Sequence, residues 1–349
     1  TRSPKAPAIL SGPITVHGNE VGDEGKGPSG EGADDRLVAD SIHSRGAYAL
    51  KLSLGPIQYF WDRDTVLDFY ARVADAPVDI VYLGEVVCAK RRALRAEDWL
   101  RIADQLEMAG KQVVLSTLAL IEAESELGAM RRIAANGRFM VEANDMGAVN
   151  LLAGRARFVA GPHLNIYNAG TLALLAAAGA RRCVMPVELG RDLLAPLQAA
   201  RPAGMETEVF AFGRLPLAFS ARCFTARAHN LGKDDCGFRC ADYADGMLLA
   251  TQEHQPFLVL NGIQTQSAET CNLVHALPEL KRLGVDVARL SPQSQGMFDI
   301  IDVFRAAADD ALDPAQAQKQ LTPYLPYGAC NGYWHGQAGM SWVTPVAVT

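Results

Sequence analysis

Eight short runs rich in valine, isoleucine and leucine, set between stretches of helical periodicity, constrain this chain more than any other feature. The runs fall at 49–54, 78–83, 112–118, 139–142, 157–160, 182–186, 206–212 and 285–290. Short apolar runs without strict polar alternation suit strands covered on both faces, as in a parallel sheet. Amphipathic patterns lie between them at 64–74, 95–108, 122–134, 169–178 and 190–199, and a last one near 295–308 follows the eighth run. Eight strands each followed by a helix is the count of a closed barrel. An open doubly wound sheet is the alternative, but no G-x-G-x-x-G follows the first strand to support dinucleotide binding. The expected class is α/β, a TIM-like (β/α)8 barrel.

One interval breaks the rhythm. Residues 213–284 separate the seventh run from the eighth, and a loop that long after a barrel strand is usually functional. Residues 1–46 also stand apart. Gly, Pro, Ser and acidic residues dominate from Ser11 to Asp35, and no period holds there, as in a disordered tail. The expected organisation is a tail over 1–46 and a barrel over 47–349, with an insertion after strand 7 at about 213–284.

Three of the seven cysteines lie in the first half of that insertion, as Cys223, Cys236 and Cys240 in a C-x12-C-x3-C array. The close pair can reach one centre if the backbone turns between them, and Gly237 would ease that turn. A soft four-coordinate site then lacks one ligand, with Cys88, Cys183, Cys271, Cys330 and His229 as candidates. Cys88 follows strand two at its C-terminal end, on the face where the loop after strand seven emerges and where barrel enzymes keep their chemistry. Cys183 sits beside Val184 and Met185 and reads as core. Cys271 is expected on the helix leading to strand eight, and Cys330 falls in a C-terminal segment of no fixed place. Cys88 is thus the best fourth donor on position. A single cysteine is commonly a small buried hydrophobe, whereas three in a polar loop gain nothing from burial. Four thiolates suit zinc and an iron–sulfur cluster alike, so these residues leave the metal open.

Charge and hydropathy remove other classes. A formal net charge of −6 gives no footprint for nucleic acid. No apolar run reaches the roughly 18 residues of a membrane span, and the first residues lack the pattern of a secretory signal. A cytoplasmic location is expected, where clustered cysteines point to metal or redox chemistry rather than staples. Polar residues after the strands are natural pocket lining: Glu85, Ser116, Thr117, Glu142, His163, Asn165, Asn168, Glu188, Arg289 and Ser291. Each has an ordinary structural alternative. Glu85 could cap a turn or pair with Lys90, Arg91 or Arg92, and the asparagines could cap helices.

Longer motifs carry a resemblance. They are Leu54-Gly-Pro56, Tyr82-Leu-Gly-Glu85 with Cys88 and Arg91-Arg92, Leu115-Ser-Thr-Leu-Ala119, Pro186-Val-Glu-Leu189 and Leu215-Pro-Leu217. Ser220-Ala-Arg-Cys-Phe-Thr-Ala-Arg227, Leu260-Asn-Gly-Ile-Gln-Thr265, Arg289-Leu-Ser-Pro-Gln293 and Cys330-Asn-Gly-Tyr-Trp334 complete the set. Over about 49–340 the chain resembles ubiquinone-biosynthesis members of the U32 peptidase-like family. The resemblance implies a TIM-barrel-like fold and a 4Fe–4S cluster held by Cys88, Cys223, Cys236 and Cys240. It implies a heterodimer with the paralogue UbiU, and oxygen-independent hydroxylation of a ubiquinone precursor with prephenate as the suggested hydroxyl donor. For such a dicarboxylate, Arg222, Arg227 and Arg289 are candidate forks, and Glu85, His163, Asn165 and Glu188 complete the candidate substrate pocket. Peptidase activity is not implied. Glu208, Phe210 and Gly213 keep the peptidase frame E-x-F-x-x-G, but Pro216 stands where a cysteine would be expected. The rival readings are a U32-type RNA hydroxylase, against which the acidic chain counts, and a zinc-stabilised scaffold whose partner does the chemistry.

Overall fold

The eight apolar runs close into a ring. A computed structural model describes residues 49–344, and the expected tail at 1–46 lies outside the described residues. Seven parallel strands come first: β1 (Lys51–Leu54), β2 (Ile80–Leu83), β3 (Gln112–Ser116), β4 (Met140–Ala143), β5 (Phe158–Ala160), β6 (Ala180–Val184) and β7 (Glu206–Phe219). The insertion supplies β8 (Met247–Ala250), β9 (Pro256–Asn261) and β10 (Gln264–Asn272) before the eighth barrel strand, β11 (Val287–Leu290); a short β12 (Ala329–Cys330) follows. Each of β1 to β6 pairs with the next, and β11 pairs with both β7 and β1, so the barrel has no open edge.

Helices wrap the outside: α1 (Arg63–Val73), α2 (Ala96–Met108), α3 (Glu124–Ala134), α4 (Met146–Leu152), α5 (Ala169–Ala178) and α6 (Arg191–Ala199). After a short α7 (Phe224–Ala228) in the insertion come α8 (Leu277–Arg282), α9 (Met297–Ala308) and α10 (Pro314–Leu321). Their starts are chemically marked. The Asp62 carboxylate accepts from the backbone N–H of Asp64 and Thr65 at the head of α1, and Asn168 accepts from Thr171 at the head of α5. On α9, Met297, Ile300, Ile301, Phe304 and Ala308 are buried, a spacing of three and four that forms one apolar stripe.

Strand alternation divides the interior into two cores. Ile80, Tyr82, Val114, Val159, Val184 and Val287 fill the barrel lumen. Residues of the other parity, such as Val81, Leu83, Leu115, Val141 and Cys183, pack outward against the helices in a larger cluster. Each fully buried Val or Leu side chain contributes about 1.5–3 kcal/mol, so both faces of every strand stabilise the ring. This is why the strands read as unbroken apolar runs.

Two expectations need correction. The seventh strand does not end near Phe212. It runs on to Phe219, because a register shift opposite Arg289 and Leu290 and Gly213, at φ +130°, turn it out of the barrel. A Cβ at position 213 would stand 2.5 Å from the Ser291 Cβ, so glycine is what lets the strand leave here. Beyond the exit β7 pairs antiparallel with β10, which pairs with β9, and β9 with β8. Cys271 is therefore on a strand, not a helix, and lies opposite both Gly213 and Cys330 of β12. Gln264, Gln266, Ala268, Thr270 and Asn272 are buried on one face of β10, and Ser267 and Cys271 on the other. Polar residues buried on both faces give no strand alternation, which hid β10 in the sequence.

Candidate metal centre

Two clusters of chemistry-bearing side chains occupy the C-terminal half of the barrel and its insertion. The first is an ionic network in the lumen. β1, β11 and β7 lie side by side, with Ser53 opposite Arg289 and Val287 opposite Glu208, so inward-facing residues of these strands meet. Arg289 Nε donates to Glu208 Oε1 at 2.6 Å and its Nη2 to Glu142 Oε1 at 2.7 Å. Ser53 Oγ and Tyr82 OH donate to the two Glu208 oxygens at 2.6 and 2.5 Å, and Ser116 Oγ donates to Glu142 Oε2 at 2.7 Å. The Arg289 guanidinium also lies 4.0 Å from the Tyr82 ring centroid. Arg182 joins Tyr82 to Glu206 on the far side. Burial raises the Glu208 pKa, but Arg289, Arg182 and the two hydroxyl donors outweigh it, and the carboxyl sits below its ordinary range. Burial likewise raises the Tyr82 pKa, reinforced by Glu208. A buried pair costs little only when every lone pair is met, and Glu208 and Glu142 come close to that.

Above this network is a cavity of about 30 Å³, lined by Gly55, Glu142, His163, Pro216, Gln266 and Arg289 among others. That is room for roughly one water. His163 stands edge-on to Phe219 at 4.7 Å, and burial lowers its pKa to about 4. Among the described residues it shares no hydrogen bond with Ser291, which lines the same cavity, so no nucleophile–base pair is formed there.

The second cluster is the cysteine site. Cys88 follows β2 in a turn closed by the bond from Arg91 N–H to the Cys88 carbonyl, 3.0 Å. The Glu85 carboxylate accepts from the backbone N–H of Val87 and Cys88 at 2.8 and 2.9 Å. Cys223 begins α7, and its sulfur accepts from Ala226 N–H at 3.4 Å. Between Cys236 and Cys240 the chain turns through Gly237 at φ +56° and Phe238 at φ +53°, and Phe238 packs on Phe60 with ring centroids 5.8 Å apart. Lys90 Nζ clasps this loop to the Cys88 turn, donating to Lys233 O at 3.0 Å and Asp234 Oδ1 at 2.6 Å.

All four thiols are free and partly buried. Burial pushes the pKa of Cys88, Cys223 and Cys240 up, and the thiols add to it: Cys240 acts on Cys88, Cys88 and Cys236 on Cys223, and Cys223 and Cys236 on Cys240. Mutual repulsion of this kind requires the sulfurs to share one neighbourhood. Three chain segments up to 152 residues apart in sequence (88 to 240) thus meet at one place. The charge of Arg91 opposes the rise at Cys240. No group of three or more His, Cys, Asp or Glu among the described residues stands at metal-ligating geometry. The donor set nevertheless fits a soft thiophilic centre in its chemistry, since thiolates that repel one another are relieved by a cation between them.

The remaining residues fall as follows. Cys183 is fully buried on β6, where burial takes its pKa to about 12. Cys271 and Cys330 are buried side by side. Of the candidate pocket residues, Arg289 and His163 line the mouth cavity, while Glu85 belongs to the Cys88 turn. Asn165 is exposed in a left-handed turn at φ +56°. Glu188 is exposed and accepts from Tyr167 OH at 3.3 Å. Arg222 is exposed. Sequence reasoning missed Tyr82 and Arg182, and took Glu208 only as part of a motif. A charged residue in the middle of an apolar run was the available signal.

Likeness to solved structures is distant. The U32 peptidase Mk0906 is 10% identical over 72% of this chain and 96% of that one, at a TM-score of 0.40. Tryptophan synthase from M. tuberculosis is 10% identical over 83% and 97%, at 0.37. Dihydropteroate synthase from Thermus thermophilus is 13% identical over 75% and 92%, at 0.35. The sequence model of Peptidase family U32 matches residues 63–344, across barrel and insertion together, and on that match the chain belongs to Peptidase family U32.

Proposed function

We propose that this chain is a UbiV-type subunit of an oxygen-independent hydroxylation complex in ubiquinone biosynthesis, working as a heterodimer with UbiU and carrying a 4Fe–4S cluster on Cys88, Cys223, Cys236 and Cys240. The observation that supports it is that Lys90 and Lys233 tie the Cys88 turn, the segment before Cys223 and the loop leading to Cys236 and Cys240 to one another, while the other three cysteines are packed away in strands. A bound cluster would supply one-electron chemistry or a Lewis-acidic iron. The chain's own residues supply the rest. Glu85 and the Arg91 N–H shape the Cys88 turn, Gly237 and Phe238 the Cys236–Cys240 turn, and Lys90 ties the two together.

Proteolysis is not part of this reading. Pro216 lines the mouth in place of a nucleophile, and a cavity of about 30 Å³ admits no peptide. The precursor ring and the hydroxyl donor are therefore expected to bind with the partner subunit present, or after the mouth opens. A location in the cytoplasm accords with the described residues, among which no helix is long and apolar enough to cross a membrane.

The test is iron, acid-labile sulfide and zinc in protein purified without oxygen and co-expressed with its paralogue. About four irons and four sulfides per chain are expected, lost together with visible absorption in Cys236→Ala. One zinc without sulfide would replace the cluster by a structural metal and move the chemistry to the partner. Iron and sulfide unchanged in Cys236→Ala would refute the ligand set.

A further inference from the structure

We infer that Arg91 is a positioning residue for the cysteine centre: it ties the Cys88 turn to the β9–β10 turn that seats the Cys223 segment. The inference rests on reading the cysteines as a ligand set and assigns a task to a residue outside that set.

Arg91 is 6% exposed. Nη1 donates to Gln58 O at 2.7 Å and Nη2 to Asn261 Oδ1 at 2.7 Å. Both acceptors are neutral. The nearest carboxylate oxygen, on Glu85, is 3.9 Å away, and the buried Nε has no partner. The guanidinium is therefore held by hydrogen bonds to two chain segments rather than by a short ion pair.

The same side chain links the segments mechanically. Its own N–H closes the Cys88 turn. Through Asn261 it grips the β9–β10 turn, and the next residue of that turn, Gly262, seats the start of α7. Gly262 O accepts from Phe224 N–H at 2.8 Å, and Gly262 N–H donates to Thr225 Oγ1 at 2.9 Å. Cys223 is the residue immediately before Phe224. Gly262 lies at φ +67°, and a Cβ there would meet Arg91 Nη2 at 2.9 Å. Only a glycine lets the turn come this close to the arginine. Arg91 thus touches the Cys88 segment by its backbone and the Cys223 segment through Asn261 and Gly262.

The experiment compares the full chain with Arg91→Gln, Arg91→Lys and Asn261→Ala, all handled without oxygen. Iron and sulfide uptake is titrated, and the metal-free proteins are treated with a short bifunctional bimane that cross-links neighbouring thiols, with Cys88–Cys223 and Cys88–Cys240 products read by mass spectrometry. Arg91→Gln is expected to weaken iron uptake about 10- to 100-fold and to lower the cross-link yield, with circular dichroism unchanged. Arg91→Lys should recover part of the uptake because it keeps the charge, but not the cross-link yield, because an ammonium cannot fork between Gln58 and Asn261. Asn261→Ala should lower the Cys88–Cys223 product and spare Cys88–Cys240; it keeps Arg91 in place if Arg91→Gln fails to fold. Iron uptake and cross-linking at wild-type levels in Arg91→Gln would overturn the inference. A wild-type chain that takes up no metal would sink the cluster reading alone, and the cross-link yields would still decide the place of Arg91.

Discussion

The lumen of the barrel and the cysteine site are each built around a buried arginine, and they treat its charge in opposite ways. Arg289 is met by two carboxylates at 2.6 and 2.7 Å, and those carboxylates are met in turn by Ser53, Tyr82 and Ser116. Arg91 has two neutral acceptors, one distant carboxylate and an unpartnered Nε. One site is electrostatically complete as folded. The other leaves its guanidinium with neutral acceptors and an ion pair only at 3.9 Å. A complete network rigidifies a fold, whereas an incomplete one is where a ligand gains most by binding.

Perturbing each site separates these roles. The largest effect on folding is expected from Arg289→Met, which strips Glu142 of its buried cation and leaves Glu208 only the more distant Arg182, at 3.7 Å. Chemical denaturation should show a loss of about 3–5 kcal/mol, and a loss under about 1 kcal/mol would mean that the lumen network is not structural. Glu208→Gln comes next, at about 2–3 kcal/mol, because a charged acceptor loses its donors. Its pH dependence has a definite sign. The folded pKa of Glu208 lies below the ordinary value of 4.5, so its contribution is present above that value and is lost as pH falls towards the folded pKa. Glu208→Gln should flatten that acid limb.

His163 shifts in the other sense for its charge type. Burial holds its pKa at about 4 against an ordinary 6.5, with Arg289 acting with burial and Glu142 against it. The unfolded chain then binds a proton that the folded chain refuses, so stability falls as pH drops from about 6.5 to about 4. His163→Phe should remove that share of the loss; identical profiles for the two proteins would place the titration elsewhere, for instance on His275, which also sits at about 4. The smallest effect is expected at the cysteines. Cys88→Ser and Cys236→Ser in metal-free protein should change stability by no more than about 0.5 kcal/mol, since partly exposed thiols bury little surface. A larger loss would show that the thiols hold the insertion together without any metal.

Much of the barrel was legible because its determinants are local. Strands 78–83 and 112–118 were expected within two residues of β2 and β3, and 169–178 coincides with α5. Periodicity alone carries this, since each strand must be apolar on both faces and each helix on one. The insertion was not legible. β8 is largely exposed and β9 partly so, while β10 buries mostly polar residues, so no common apolar period marks them, and β7 gives no sign that it leaves the barrel except Gly213. Within the lumen, Arg182 and Tyr82 looked like ordinary strand residues. Their partners lie on β7 and β3, 24 residues away for Glu206 and 70 for Gln112.

The sequence by itself determined the eight-fold strand–helix rhythm and the place of Cys183 in the core. These follow from hydrophobic period and residue type, which the chain states locally. Tertiary structure alone decided that Glu208 rather than a nucleophile occupies the barrel axis, and that Arg91 is buried between the Cys88 turn and the β9–β10 turn. Such facts depend on which distant residues become neighbours when the ring closes, and burial and charge matching are properties of those neighbours rather than of any one segment.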